Sequence, residues 1–290
     1  MYRAKEIASS EAKNLPHPKS PPSTAWIIAE ARAGLDVASV PFSLIKSWLG
    51  KASTSSSNER DSSKLPIILL PGFASDERYM KPLAKHLEHL GYYTEDWGLG
   101  MNMAGTDMPH TLDQLADSWN AEPYEGYTEE SYRGDAGVPF LCDVMTQRVK
   151  QRAEELGSKV VLIGWSLGGF IAREVARDLA DDVAHVITLG SPIIGGPKYT
   201  KAATFFEAKG YNLQWIERES AKRDAIPIQQ PITAIYSKTD GIVDWRSAID
   251  KISPNATHWQ INAPHLGMGF NSKVWKLIRQ SLAQYGQADT

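Results

Sequence analysis

A serine flanked by glycines carries the clearest chemical signal in the sequence, in the pattern Gly164-Trp165-Ser166-Leu167-Gly168. It lies between an apolar run at 160–163, which predicts a strand, and a stretch at 167–179 whose apolar residues recur every four positions, which predicts a helix. A serine in such a tight strand-to-helix turn projects its hydroxyl at the sheet edge, where the helix dipole favours developing negative charge. We therefore predict that Ser166 is a nucleophile; the alternative interpretation is a glycine-rich turn with an N-capping serine.

A serine nucleophile needs a general base, and the base needs an acid that orients it. Among seven histidines, His265 directly follows a predicted strand at 257–261 and precedes the last predicted helix. Its alternative interpretation is an exposed loop histidine. Asp240 follows a predicted strand at 232–236, whereas its competitor Asp244 is placed like a helix N-cap. We predict the catalytic triad Ser166, Asp240 and His265, in that chain order.

The oxyanion of an acyl-transfer intermediate needs hydrogen-bond donors. We predict one donor in the backbone N–H of Leu167, the residue after the serine. The second predicted donor is the N–H of Phe73, in the turn Leu70-Pro71-Gly72-Phe73-Ala74 after the first apolar strand. The alternative interpretation of that turn is an ordinary Pro-Gly turn signal.

Alternating strand and helix patterns fill residues 65–290 and predict an α/β fold with a doubly wound, mostly parallel sheet. Ligands of such sheets bind at the carboxyl ends of the strands, where the three triad residues are predicted to lie. Before this domain, composition predicts a mobile tail at 1–22, an amphipathic helical extension at 23–50 and a serine-rich linker at 51–64.

Three segments have a role that the sequence leaves open. Residues 98–136 are either a lid or an acidic surface loop, and 190–231 form a possible short cap whose Phe205, Phe206 and Trp215 line an acyl pocket or pack between helices. The apolar stretch 23–49 packs onto the domain, mediates dimerisation or lies in a membrane interface. Membrane association is not favoured because the stretch has few positive charges.

The serine turn, the Leu-Pro-Gly-Phe turn, Thr239-Asp240-Gly241 and the late His265 together resemble the α/β-hydrolase superfamily, and small bacterial lipase- or esterase-like members in particular. The resemblance covers about 65–282. It implies a serine hydrolase that cleaves small carboxylic esters, lipid-like ones included, through an acyl-serine intermediate. Two departures are a Pro-Gly in place of the common His-Gly, and no evident antiparallel strands before residue 65.

Two alternatives to ester hydrolysis stay open at this point. An acyltransferase or a thioesterase would use the same triad with a different acceptor or leaving group. A catalytically inactive α/β-hydrolase domain would instead bind a ligand or partner, because a fold alone does not fix a function.

Composition excludes other classes of protein. The net charge of −3 and the pI of about 6.2 provide no basic field for nucleic acid. Cys142 is the single cysteine, which rules out an intrachain disulfide, and we predict it to be a buried filler. No Cys/His cluster predicts a metal, and no cofactor is predicted. With no signal-peptide or transmembrane run, the sequence predicts a cytoplasmic protein, and it leaves the oligomeric state open.

Overall fold

The computed structural model of the protein describes residues 4–7, 9–24, 30, 62–108 and 137–286. Most of the predicted extension at 23–50, residues 51–61 of the predicted linker and residues 109–136 of the predicted lid segment lie outside the described residues.

The described residues form one seven-stranded sheet in the order β1-β7-β6-β5-β4-β2-β3. The strands are β1 (Lys5–Ile7), β2 (Ile67–Leu70), β3 (Thr94–Asp96), β4 (Val160–Trp165), β5 (Val183–Leu189), β6 (Ile232–Ser237) and β7 (Ala256–Ile261). Strands β2 to β7 pair in parallel, and β1 adds to β7 in antiparallel orientation. The predicted doubly wound, mostly parallel sheet is therefore confirmed.

Helices cover both faces of this sheet. They are α1 (Ser9–Ala12), α2 (Glu77–His89), α3 (Gly137–Leu156), α4 (Leu167–Asp178), α5 (Ala203–Ala208), α6 (Leu213–Asp224) and α7 (Ser272–Tyr285), with short 3-10 helices at Gly196–Tyr199, Trp245–Ala248 and His265–Phe270. Helices α2 and α7 pack on one face, and α3 and α4 on the other. In the described part of the chain, none of the helices combines the length and apolarity that crossing a membrane requires.

The two-sided burial explains why the central strands are continuously apolar. In β2, Ile67 and Leu69 point into the core beneath α2 and α7, whereas Ile68 and Leu70 point into the core beneath α3 and α4. Successive side chains of a strand face opposite sides, so both sets must be apolar when both faces are covered. Cys142 lies in the second core, where burial raises the pKa of its thiol, and its predicted role as a buried filler is confirmed.

The prediction of a mobile tail at 1–22 is wrong for its first described residues. Lys5–Ile7 pair with β7, with Ile7 opposite His258. Ile7 and Ala12 are buried in a small cluster with Tyr236 and Ile249. The polar composition that suggested mobility belongs to the exposed side chains, while one apolar side chain every few residues anchors the segment.

Candidate active site

Ser166 occupies the turn between β4 and α4 in a strained backbone conformation. Its φ of 53° and ψ of −123° lie in a region that non-glycine residues rarely adopt. Its N–H donates to the carbonyl of Leu189 in β5 at 2.9 Å, which helps to hold the turn. Although Ser166 is the N-cap residue of α4, its side chain makes no capping hydrogen bond. The interpretation as a capping serine is therefore wrong.

The glycines around Ser166 are required by close backbone approach. A Cβ on Gly164 would lie 2.3 Å from the carbonyl carbon of Gly168, and a Cβ on Gly168 would lie 2.3 Å from the carbonyl oxygen of Leu70. Both distances are far below van der Waals contact, so only glycine allows β2, β4 and α4 to meet here. The pattern around the serine thus reflects the packing that exposes its hydroxyl.

Asp240 and His265 are in direct contact at the same carboxyl edge of the sheet. The Nδ1 of His265 lies 2.7 Å from Oδ2 of Asp240, and both side chains are only 2% exposed. The other carboxylate oxygen, Oδ1, accepts the N–H groups of Ile242 and Val243 at 2.8 and 2.7 Å. These bonds fix the carboxylate with one oxygen aimed at the imidazole ring, which leaves Nε2 of His265 for another partner.

The competing acid, Asp244, is engaged elsewhere. It caps the 3-10 helix Trp245–Ala248 by accepting the N–H of Arg246, and it forms an ion pair with the Arg246 Nε at 2.9 Å. Its predicted character as an N-cap is confirmed.

Other histidines in the described ranges have structural surroundings. His185 is buried beside Thr233, whose Oγ1 lies 3.0 Å from its Nε2, and burial lowers the pKa of His185 to about 3. His258 accepts the N–H of Asp250 through Nε2 at 3.0 Å, and His86 stacks on Trp275. His110 lies outside the described residues. Within the described part, His265 is the histidine that shares a cavity with Ser166.

That cavity has a volume of about 170 Å³ and is mostly apolar. Ser166 and His265 line it together with aromatic and aliphatic side chains from the turn after β2, from α4 and from the 190–231 segment, namely Phe73, Leu167, Phe170, Phe206, Trp215 and Ile216. Of the three side chains considered for an acyl pocket, Phe206 and Trp215 line the cavity. Phe205 instead contacts the ring of Phe73, with ring centroids 5.3 Å apart.

The two predicted oxyanion donors border the same cavity. Among the described residues, the N–H groups of Phe73 and Leu167 donate to no protein acceptor. The turn that carries Phe73 is held by Asn102, which sequence reasoning missed. Its side-chain Nδ2 donates to the carbonyl of Pro71 at 2.8 Å, and its backbone carbonyl accepts the N–H of Ala74 at 2.7 Å. Asn102 is fully buried and so supports the turn from inside the protein.

The loop of His265 is anchored by aromatic residues. The indole Nε1 of Trp165 donates to the carbonyl of His265 at 3.2 Å, and the Tyr79 hydroxyl donates to the carbonyl of Leu266 at 3.1 Å. The Tyr79 and Trp165 rings stack with centroids 3.7 Å apart. In the residues that the structure describes, no group of three or more His, Cys, Asp or Glu side chains is placed to hold a metal ion.

Comparison with known proteins shows the family to which this chain belongs. A model described as "Alpha/beta hydrolase family" matches residues 67–282, well over half of the chain. The chain belongs to the alpha/beta hydrolase family. The predicted resemblance to the α/β-hydrolase superfamily and the predicted fold class are thereby confirmed.

This α/β hydrolase is similar to solved structures and to a curated relative. A structure of the metagenome-derived lipolytic enzymes LipS and LipT has 12% sequence identity and a TM-score of 0.51, covering 77% of this chain and 94% of the other. The Pyrococcus furiosus esterase Pf2001 has 17% identity and a TM-score of 0.49, covering 79% and 85%. The GPI inositol-deacylase of Eremothecium gossypii is 23% identical over 200 residues, which cover 66% of this chain and 19% of that protein. The α/β hydrolase thus spans about a fifth of that relative's length.

Proposed function

We propose that this α/β hydrolase is a serine hydrolase that cleaves carboxylic esters through an acyl-serine intermediate. One observation carries the proposal: Ser166 and His265 line the same apolar cavity, and the Nδ1 of His265 is held at 2.7 Å by the buried carboxylate of Asp240. A nucleophile, a base and an orienting acid at one cavity are the minimum that acyl transfer to serine requires.

In the proposed reaction, His265 Nε2 takes the hydroxyl proton as Ser166 Oγ bonds to the ester carbonyl carbon. The carbonyl electron pair moves onto oxygen, and the N–H groups of Phe73 and Leu167 stabilise the resulting oxyanion. Asp240 keeps the proton on Nδ1 and stabilises the imidazolium that forms. Collapse of the intermediate breaks the bond to the alcohol oxygen, which receives the proton from His265 and leaves an acyl-serine. Water then repeats the sequence, so the acid is released and Ser166 regains its proton.

The size of the cavity favours a short acyl group. An apolar protein cavity of roughly 150 Å³ holds one benzene ring, and the cavity beside Ser166 measures about 170 Å³. We therefore expect it to enclose an apolar acyl chain of about four to six carbons, the size of that ring. The similarity to a protein named an inositol-deacylase also favours acyl-ester substrates.

The first test measures labelling and turnover together. Wild type, Ser166→Ala and Ser191→Ala are incubated with a fluorophosphonate probe and with p-nitrophenyl esters of increasing acyl length. Ser166→Ala should lose labelling, and its kcat should fall by about 10⁴-fold or more because the nucleophile is gone. Ser191 is the matched control. It lies beside Gly169 in the first turn of α4, and its buried Oγ has no hydrogen-bond partner in the described part of the chain.

The outcomes separate the possible activities. Labelling and ester turnover that depend on Ser166, with an optimum at short acyl chains, support the proposal. Faster product formation with an added alcohol acceptor would favour an acyltransferase over an ester hydrolase. Turnover of thioesters alone would favour a thioesterase. A wild type that neither labels nor turns over any ester would overturn the proposal and favour a binding domain.

A further inference from the structure

Glu30 reaches the candidate active site from outside the part of the chain that matches the family. The matched residues begin at 67, yet Glu30 is only 7% exposed, and its carboxylate lies against the loops of Asp240 and His265. Its Oε1 accepts the N–H of Gly241 at 2.7 Å and the N–H of His265 at 2.9 Å. Its Oε2 accepts the N–H of Leu266 at 2.9 Å.

These three bonds account for the burial of the carboxylate. A buried carboxylate is costly unless hydrogen bonds or an opposite charge compensate it. No lysine or arginine in the described ranges forms an ion pair with Glu30, so the three backbone donors are its compensation there. Two of them, at His265 and Leu266, begin the 3-10 helix His265–Phe270, whose N-cap residue Pro264 offers no side-chain cap. Glu30 takes the place of that missing cap.

The donors also connect the two loops that carry the acid and the base. Gly241 directly follows Asp240, and the third donor is the N–H of His265 itself. Trp165 and Tyr79 bind the carbonyls of His265 and Leu266, and Tyr79 also accepts the N–H of Gly269, four residues after His265. Ser237 and Thr239 link the ends of β6 and β7 further back, through Asn262 and Ala263. Asp240 joins the two loops through the imidazole of His265, and Glu30 is a second carboxylate, which binds the backbone of both loops.

We propose that Glu30 is a positioning residue, which fixes the distance and angle between Asp240 and His265 and thereby adds to the active site a residue from outside the family-matched range 67–282. The proposal rests on the proposed function, because positioning has a kinetic consequence only if His265 is the base. A displaced imidazole weakens proton transfer in the transition state while the acyl group still binds the apolar cavity. The effect should therefore fall on kcat rather than on KM.

The test compares Glu30→Ala and Glu30→Gln with the wild type, using a short p-nitrophenyl ester and the rate of fluorophosphonate labelling. Alanine removes all three acceptors, and we expect kcat and the labelling rate to fall by about 10²-fold with little change in KM. Glutamine can keep its oxygen at the position of Oε1, but its NH₂ group faces the N–H of Leu266. It should restore most of the loss and retain a defect of about tenfold, the effect of one lost bond to a charged acceptor.

Asp250→Asn is the matched control for burial. Asp250 is also a buried carboxylate that accepts backbone N–H groups, those of Ile252 and Ser253, but it lies beside Arg173 and away from the cavity. Its variant should lower the melting temperature and leave kcat unchanged. If Glu30→Ala keeps the wild-type kcat, or if Asp250→Asn loses as much kcat at the same folded fraction, positioning by Glu30 is wrong.

Amide hydrogen exchange separates this proposal from the proposed function. In Glu30→Gln and Glu30→Ala, peptides covering 238–242 and 262–267 should exchange faster than in the wild type, whatever the activity. If the wild type has no esterase activity but the Glu30 variants exchange faster in these peptides, the proposed function is wrong and the connection of the two loops by Glu30 is supported. Unchanged exchange in both peptides would overturn the bridge even in an active enzyme.

Discussion

Two sets of mostly buried charged side chains among the described residues differ in what satisfies their carboxylates. The ionic cluster lies between α4, α6 and the loop before β7, and consists of Arg173, Glu174, Arg177, Asp178, Arg223, Asp224 and Asp250. Its carboxylates pair with guanidinium groups, as in Arg173–Asp250 at 2.8 Å and Arg223–Glu174 at 2.9 Å. Asp250 also accepts two backbone N–H groups. At the candidate active site, Asp240 and Glu30 are held by backbone N–H groups and one imidazole, and no lysine or arginine in the described residues forms an ion pair with them.

The difference separates an ion-paired cluster from a site that is proposed to react. Burial opposes ionisation of Glu174, but the neighbouring arginines outweigh it and leave the pKa of Glu174 below its ordinary value. Each carboxylate of the cluster has an arginine partner, which compensates its burial. The active site leaves groups for substrate: the hydroxyl of Ser166, the Nε2 of His265, and the N–H groups of Phe73 and Leu167. A fixed backbone donor holds Asp240 in place without a mobile cation that could compete with the imidazole.

The largest effect should come from Asp240→Asn, which tests whether that carboxylate sets the state of His265. The amide oxygen would keep the N–H groups of Ile242 and Val243, so its NH₂ group would face Nδ1 of His265. This arrangement forces the ring proton onto Nε2, the nitrogen that must accept from Ser166. We expect kcat to fall by about 10⁴-fold with the melting temperature nearly unchanged, measured with the short ester and by thermal unfolding.

Asp244→Asn is the control for that experiment, because Asp244 lies four residues away and pairs with Arg246 instead. It should leave kcat at the wild-type level. Equal losses in the two variants would contradict the assignment of Asp240 as the orienting acid, and a loss confined to Asp244→Asn would reverse it.

A smaller effect is expected from Asn102→Ala, which would act on the turn of the proposed oxyanion donor Phe73 without contacting substrate. The variant loses the hydrogen bond from Nδ2 to the carbonyl of Pro71 and so loosens the N–H of Phe73. We expect kcat to fall by about 10²-fold, measured with the short ester, because a displaced donor no longer meets the oxyanion. Asn255→Ala is matched in chemistry, since its Nδ2 donates to the carbonyl of Gln229 at the opposite edge of the sheet. An equal loss of kcat in Asn255→Ala would show that kcat falls because the protein is less stable, and not because the N–H of Phe73 is displaced.

The sequence predicts the sheet and the order of the site residues because both depend on local patterns. The apolar runs of β4 and β6 and the periodic stripe of α4 appear in the structure within a residue or two of their predicted ends. Parallel strands bring their carboxyl ends to one edge, so residues that directly follow β4, β6 and β7 must lie close together. Ser166, Asp240 and His265 could therefore be grouped without any knowledge of packing.

The supporting residues could not be predicted, because their partners are distant in the chain. Asn102 binds a carbonyl 31 residues away, and Glu30 binds N–H groups 211 and 235 residues away. No local pattern marks such bonds. Nothing in the local sequence sets Glu30 apart from Asp36, the other carboxylate of the stretch 23–49. The short β1 was missed for the same reason, since its only partner strand is β7 among the described strands.

The smallest predicted effect concerns the pH dependence of the ionic cluster. Burial opposes ionisation of Asp250, but Arg173 and the N–H groups of Ser253 and Ile252 outweigh it and lower the pKa of Asp250 to about 2. A carboxylate whose pKa is lower in the folded than in the unfolded protein stabilises the fold above the unfolded value of 3.8, and this stabilisation is lost as the pH falls toward 2. In urea unfolding, the stability difference between wild type and Asp250→Asn should therefore shrink by about 1 kcal/mol between pH 5 and pH 3. Asp181→Asn, at an exposed position, controls for net charge. A difference that stays constant with pH would contradict a paired, ionised Asp250 and would remove the contrast between the two clusters.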